Sequence, residues 1–495
     1  MWKIPLSVFV KAIVAFPTIV AAVPHARQCY WTVGRTVTTT NGEIIGHAAP
    51  DTLEVSEYLG IPFAQPPTGS LRFQPPLRYK GSSTYNASDF SPSCIQASNG
   101  GTEGQSEDCL TINVWTKPQT GETKKAVLVW IYGGAYTMGS SNQPGYNGKY
   151  IADQEDVVLV SLNYRLNIFG FPGNPATPEN LGLMDMRLAM EWIRDNIESF
   201  GGDVDRVSIF GQSAGAGMID FYTYAWAEDP IANGFILMSA TVNGFPALSK
   251  DTQASRWFRI ARNLGCNSTD ANEVTACMQT KTSAQIVSAF GPEEIAIGAV
   301  PSFGPTADNV IVWANYTDHH AAKGGYLIGN TENEAGLFRN FISGRSEAFW
   351  SDFNNRYYTC ADRVRIDQAV AEGNPAWRYR YFGDFPNLAV STNPPSGAYH
   401  GADLPPLFNT VSSQTSIPST LEEAAVGDYN RGAWAAFAKN TSAGLLTYAD
   451  GWPMYTPAKL SLVRLAYENR TGTNLALGNA YDAVCATLPA IPPTS

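Results

Sequence analysis

Lysine and arginine never gather into a run in this chain, and with 33 of them against 44 acidic residues the formal net charge is −11. A nucleic-acid partner needs a basic face to meet its phosphates, so that class of function is disfavoured and the acidic surface is read as serving solubility. Histidine is scarce, with five residues, and neither histidine nor cysteine recurs at metal-ligand spacing. A zinc site is therefore not expected, and no cofactor is implied. Beyond the N-terminus no stretch approaches the roughly 18 uninterrupted apolar residues that span a bilayer. Internal repeats, heptads and long low-complexity linkers are also missing, which leaves one α/β domain with large insertions as the economical reading.

The start, MWKIPLSVFVKAIVAFPTIVAAVPHARQCY, combines Lys3, an apolar stretch broken by Lys11, and small residues at Ala21 and Ala22. That pattern is read as a secretory signal peptide over residues 1–22, followed by a single domain over 23–495; an N-terminal helix or membrane anchor is the weaker alternative. The end, LPAIPPTS, carries no hydrophobic tail, so no stable membrane anchor is expected. An oxidising compartment suits the seven cysteines. Cys94/Cys109 and Cys266/Cys277 each bracket a short polar loop and are the natural disulfide pairs; Cys29, Cys360 and Cys485 leave one further bridge and one spare thiol. Sequons at Asn86, Asn267, Asn315, Asn440 and Asn469 suit a glycosylated, extracellular protein.

Short β-branched runs alternate with helical patterns. Residues 126–132, 157–163, 207–211 and 234–239 read as buried strands of a largely parallel sheet, and 324–330 and 377–383 as two more. Between the second and third, Met186, Met190, Ile193 and Ile197 recur at helical spacing, which predicts a helix with one face on the sheet.

The tripeptide GQS occurs twice, at Ser106 and Ser213. Ser213 follows a predicted strand and precedes a helix-forming segment, with Gly211 and Gly215 two residues to either side. In a strand-turn-helix elbow those two positions are squeezed together, and the serine is presented in a strained conformation at the tip. Ser106 has Asp108 where the elbow needs a small residue and follows a Gly/Ser/Thr-rich loop, so it is read as an ordinary loop serine. A serine nucleophile needs a base and an orienting acid, in chain order Ser, acid, His. Of His25, His47, His319, His320 and His400, chain order leaves His400 as the base. The acid belongs on the loop after a strand, where YLIGNTENEAGLF offers Glu332 and Glu334, with Asp308 a weaker third candidate. Gly133, Gly134 and Ala135 directly follow a predicted strand, where backbone amides can hold an oxyanion, and the Ala214 amide supplies the other side. By proximity in sequence, Tyr136, Phe221 and Trp226 are candidate pocket walls, and each reads equally well as core.

At this point the chain resembles the type-B carboxylesterase/cholinesterase family, especially its fungal secreted members, from about residue 35 to beyond His400. The likeness rests on YLGIPFAQPPTGSLRFQPP, SEDCLTINVW, WIYGGAY, SLNYRLNIFGF, the long stretch through VSIFGQSAGAG, GNTENEAGLF and HGADLPPLF. The resemblance implies an α/β-hydrolase fold, Glu334 as the acid, Gly134, Ala135 and Ala214 as oxyanion donors, and Arg72/Glu107 and Arg165/Asp185 as structural ion pairs. The chain departs from the cholinesterase pattern in having neutral Gln212 before the nucleophile and no aromatic residue between Cys94 and Cys109. Choline esters are therefore disfavoured. That same loop is short and polar where the family's lipases carry an apolar lid, which points to small or soluble esters. Ala335 stands where the family often has glycine after the acid. The expected function is a secreted serine carboxylic-ester hydrolase acting on a small-molecule ester. A lipase-type hydrolase is the alternative, and a non-catalytic binding protein of the same fold the least favoured reading.

Overall fold

The computed structural model describes residues 1–2, 31–97, 104–295, 302–488 and 491. The signal-peptide reading, apart from residues 1–2, lies outside them, as do His25 and Cys29. The chain divides into Met1–Trp31 and Thr32–Ser495; every helix and strand among the described residues belongs to the second unit. None of those helices is long and apolar enough to cross a membrane.

Eleven strands build the main sheet: β1 (His47–Ala49), β2 (Thr52–Pro62), β3 (Thr111–Thr116), β4 (Lys125–Ile131), β5 (Val158–Leu162), β6 (Gly202–Gln212), β7 (Gly234–Met238), β8 (Gly325–Thr331), β9 (Ala376–Tyr381), β10 (Leu460–Leu465) and β11 (Ala476–Leu477). Their spatial order is β11-β10-β9-β8-β7-β6-β4-β5-β3-β2-β1. The run from β10 to β5 is parallel throughout, and β1, β2, β3 and β11 extend it in antiparallel fashion. This is the mostly parallel sheet of an α/β-hydrolase fold, as expected. Every residue of β4, β5, β7, β8 and β9 is buried, which explains why these strands read as continuous apolar runs rather than alternations.

The strands missed by sequence reading carry polar residues whose partners come from elsewhere. In β3, Asn113 is buried because its amide accepts from Gly60 N (2.9 Å) and donates to Ser141 Oγ (3.1 Å) and Ser161 Oγ (3.0 Å). Helix α1 (Leu181–Asn196) also differs from expectation. Beyond its Met186, Met190 and Ile193 stripe it buries Leu183, Asp185, Leu188, Trp192 and Asn196, so most of its circumference is covered. Asp185 is tolerated there because Arg165 forms a bidentate pair with it (2.8 and 2.7 Å), both side chains being buried.

Three disulfides close loops in the second unit, joining Cys94 to Cys109, Cys266 to Cys277 and Cys360 to Cys485. Arg72 ties the first loop to the segment just past the second. It pairs with Glu107 (2.6 and 2.5 Å) inside the Cys94–Cys109 loop and donates to the carbonyls of Met278, Gln279 and Lys281.

Candidate active site

The segments that follow β4, β6, β8 and β9, four of five adjacent parallel strands, converge on one place. Ser213 follows β6 and caps helix α2 (Ala214–Ala225), with φ 58° and ψ −129°, a conformation that non-glycine residues rarely adopt. The tight turn is enforced by contacts at the two glycines. A Cβ on Gly211 would lie 2.7 Å from Ile131 O and 2.8 Å from Gly215 C, and one on Gly215 would lie 2.1 Å from Ile131 O. Gly215→Ala is therefore expected to lower stability by about 3 kcal/mol, read as a fall in denaturant midpoint; an unchanged midpoint would show that the turn has slack. Ser213 N donates to Met238 O (2.8 Å) and Gly217 N to Ser213 O (3.0 Å), so the elbow is held from both sides.

The turn after β4 lies against this elbow, since a Cβ on Gly133 would meet Gln212 O at 2.6 Å and Ser213 Cβ at 2.9 Å. Gly134 (φ 117°) and Ala135 (φ 53°) take left-handed conformations, and among the described residues their amides donate to no backbone carbonyl. The Ala214 amide opens α2, whose first N–H groups have no intrahelical acceptor. Gln96, which sequence reading did not single out, braces the far end of this turn. Its side chain donates to Gly139 O (3.1 Å) and accepts from Gly139 N (3.0 Å).

Glu334 follows β8, and His400 lies in the long loop after β9. The two segments are stitched together by Asn333, whose backbone N donates to Ala398 O (2.9 Å) and whose side chain donates to Ser396 O (2.9 Å). That stitching brings His400 Nδ1 onto Glu334 Oε2 in a short charge-assisted contact, while Glu334 Oε1 accepts from Thr331 N (2.7 Å). With Nδ1 committed to the carboxylate, the ring's proton sits there and Nε2 is left as the acceptor. Nε2 has no partner among the described residues, and Phe338 (5.0 Å) and Tyr358 (5.6 Å) hold the ring from its sides.

Ser213 and His400 share a cavity of about 740 Å³ with Gly133, Gly134, Ala135 and Gln212. No hydrogen bond joins the serine hydroxyl to His400 among the described residues, and catalytic contacts of this kind commonly tighten only around substrate. The apolar lining comes from Met138, Tyr146, Leu337, Phe338, Phe341, Val390, Tyr399 and Leu404.

The carboxylesterase family model matches residues 34–362. The chain belongs to that family. It is a carboxylic ester hydrolase by that membership, although the matched stretch stops short of His400. A chlorogenic acid esterase of Aspergillus niger is 31% identical, covering 84% of this chain and 85% of the relative. The secreted lipase 5 of Gibberella zeae is 29% identical, covering 89% and 91%. An acetylcholinesterase of Electrophorus electricus is 36% identical over 51% of this chain and 43% of its own length.

Other residues singled out in the sequence fall elsewhere. Glu332 is exposed and uses its backbone to receive Arg380, whereas Glu334 is fully buried. Asp308 closes its own turn, accepting from the amides of Val310, Ile311 and Val312. Ser106 Oγ accepts from Asp108 N (3.0 Å) in a two-residue strand. His47 pairs with Glu57 and His320 with Glu228, while His319 packs on Trp313. Tyr136 and Phe221 are not walls of the cavity. Both are buried, with Tyr136 packed on Phe171 and against Gly217, while Trp226 packs at a tilt on Tyr222 outside the cavity. Asn86, Asn267, Asn315 and Asn440 are exposed; Asn469 is half-buried, with its amide bonded to both backbone groups of Asp384 (3.0 and 2.9 Å).

One buried carboxyl near the site was not legible in the sequence. Asp403 begins helix α3 (Leu404–Phe408), and burial first, then the charge of Glu334, pushes it up to about 7. A carboxyl raised on folding keeps its proton where the unfolded chain has lost it. Its contribution to stability is complete below the ordinary carboxyl range and is lost as pH rises through about 7. Asp403→Asn should therefore gain in denaturant midpoint relative to wild type at pH 8 more than at pH 5. A difference that does not change with pH would contradict this.

Proposed function

We propose that the chain hydrolyses carboxylic esters through an acyl-enzyme on Ser213. His400 Nε2 takes the hydroxyl proton as Ser213 Oγ attacks the ester carbonyl, and Glu334 stabilises the imidazolium. The amides of Gly134, Ala135 and Ala214 receive the oxyanion. His400 then protonates the leaving alcohol, and water, activated by the same base, releases the acid. The observation that carries this reading is a buried Glu334–His400 pair with Nε2 free, opening on the cavity that also holds the strained Ser213. A binding protein that only keeps the fold would have no use for that arrangement.

The substrate class is small or soluble esters. The volume suits a drug-sized molecule, and the Aspergillus relative is named a chlorogenic acid esterase. A lipase-type activity is the second reading, supported by the Gibberella relative and by Phe341 and Val390, which line the cavity yet remain 54% and 42% exposed. Initial rates across p-nitrophenyl esters from acetyl to palmitoyl separate the two. Rates that fall beyond short acyl chains favour the first reading, and rates that climb towards palmitoyl favour the second. Secretion and glycosylation belong to the same proposal, supported by three disulfides, the secreted relative and four exposed sequons.

A further inference from the structure

Six arginines are buried among the described residues, and five of them meet a carboxylate: Arg72 with Glu107, Arg165 with Asp185, Arg365 with Asp220, Arg378 with Asp482 and Arg431 with Asp428. Arg380 is the exception. It is 8% exposed, and among the described residues it forms no ion pair and its Nε has no hydrogen-bond partner. A buried charge without a counter-ion is costly, so its neighbours show what it serves. Its Nη2 donates to Glu332 O (3.0 Å), and Glu332 N donates to Tyr381 O (2.8 Å), so two bonds from β9 fix the backbone two residues before Glu334. Glu334 closes the same turn by accepting from Thr331 N (2.7 Å). The guanidinium lies over the ring of Tyr481 (4.5 Å) and close to that of Phe382 (5.7 Å), which offsets part of its lost hydration. Burial pushes Arg380 down from the usual arginine range, and the charges of Glu332 and Glu334 oppose that from beyond contact.

The other titratable groups around Glu334 and His400 are Asp403 at the start of α3, Asp362 and Tyr358 in the segment 355–371, and Arg378 and Tyr379 on β9. Burial above all pushes Asp362, Tyr358 and Tyr379 well up and Asp403 up to about 7. Arg378 is matched by the bidentate Asp482 (2.7 and 2.9 Å). Arg380 is thus the one unmatched cation in this group, and it sits on the turn that carries the acid.

Building on the proposed triad, we infer that Arg380 is a positioning residue for the Glu334–His400 pair: its fork fixes the acid's turn at Glu332 O, and its unmatched charge opposes a second positive charge on the imidazole. It touches neither the substrate nor the reacting atoms and acts through Glu334. The fork keeps the carboxylate in reach of Nδ1, and the charge favours the neutral ring that works as a base.

Three substitutions separate fork from charge. Arg380→Lys keeps the charge without the fork, Arg380→Gln keeps a donor without the charge, and Arg380→Met keeps neither. On the acid side, kcat/KM for p-nitrophenyl acetate falls as His400 protonates. With the cation gone the imidazolium forms more readily. That limb should therefore lie about 0.5–1 pH unit higher in Arg380→Gln and Arg380→Met, and within about 0.2 unit of wild type in Arg380→Lys. At the plateau, kcat per titrated active site should fall about tenfold in Arg380→Met, as a loosened acid would cause. The limb's position does not depend on how much of a preparation is folded, and Asp403 is common to all four proteins. Should the neutral variants give no folded protein, Tyr481→Leu replaces them. It removes the ring under the guanidinium and leaves the charge, so kcat should fall at least about threefold with the limb unmoved.

Coincident limbs, a lysine limb that moves with the neutral variants, or a kcat within about twofold of wild type for Arg380→Met or for Tyr481→Leu in its place, would overturn the assignment of Arg380 and leave the triad standing. A wild-type protein without esterase activity would overturn both.

Discussion

Ser213→Ala is expected to lower kcat on p-nitrophenyl acetate by about 10⁵-fold while leaving the denaturant midpoint near that of wild type. The size follows from how triads behave. Serine and its base act as a unit, so removing the nucleophile alone costs about as much as removing the whole constellation, and what survives is the rate that binding and oxyanion donors give without it. The oxyanion groups proposed above are backbone amides of Gly134, Ala135 and Ala214, which the substitution does not touch. Residual activity above the uncatalysed rate is therefore expected. The fold should tolerate the change because alanine replaces a hydroxyl that bonds to nothing among the described residues. It inherits the same strained backbone, held by Met238 O and by Gly217 N. A loss of only a few-fold would mean that the nucleophile lies elsewhere.

Glu334→Gln should lower kcat by about 10⁴-fold, whereas Glu332→Gln should stay within about twofold of wild type. The contrast rests on geometry. Glu334 accepts from Thr331 N and His400 Nδ1 with both oxygens while wholly buried; Glu332 is exposed, three residues after Gly329, and makes no hydrogen bond to His400 among the described residues. A glutamine at 334 keeps the volume but can turn its NH₂ towards the imidazole. The ring must then place its proton on Nε2, the atom that has to accept from Ser213, and it loses the charge that stabilises the imidazolium. The defect should persist across the pH range, because it concerns the tautomer as well as the ionisation of the ring. Equal losses for the two variants would remove the acid assignment.

Much of this site is written locally. The elbow around Ser213 is legible because the constraint is steric and lies within five residues: Gly211 and Gly215 must both lack a Cβ for β6 to turn into α2 beside Ile131. The turn after β4 is legible for the same reason, and the buried parallel strands because burial on both faces leaves an unbroken apolar run. The choice between Glu332 and Glu334 is different. Both follow the same strand, and only the stitching of Asn333 to the loop of residues 396–398, more than sixty positions away, decides which carboxylate meets the histidine; pattern alone leaves them equal.

Residues whose roles depend on long-range packing stayed hidden. Gln96 braces Gly139 across the first disulfide loop, and nothing in the residues around it announces that contact. For Tyr136 and Phe221, which the sequence leaves equally open as wall or core, packing decides for the core. They neighbour the motifs in sequence, but their rings turn into the core, and the cavity is walled instead by segments around Phe338, Val390 and Leu404 that arrive after other strands. Strand β3 escaped notice because Asn113 breaks its apolar pattern, a cost offset by three partners drawn from distant parts of the chain.

The most direct test of the account is to treat the purified protein with a p-nitrophenyl alkylphosphonate, which mimics the tetrahedral intermediate and stays on the nucleophile, and to locate the label by peptide mass spectrometry. One phosphonyl group per chain is expected, on the peptide that contains Ser213, with parallel loss of esterase activity and no labelling of Ser213→Ala. A label on Ser106 or any other residue, or activity that survives full labelling of Ser213, would contradict it.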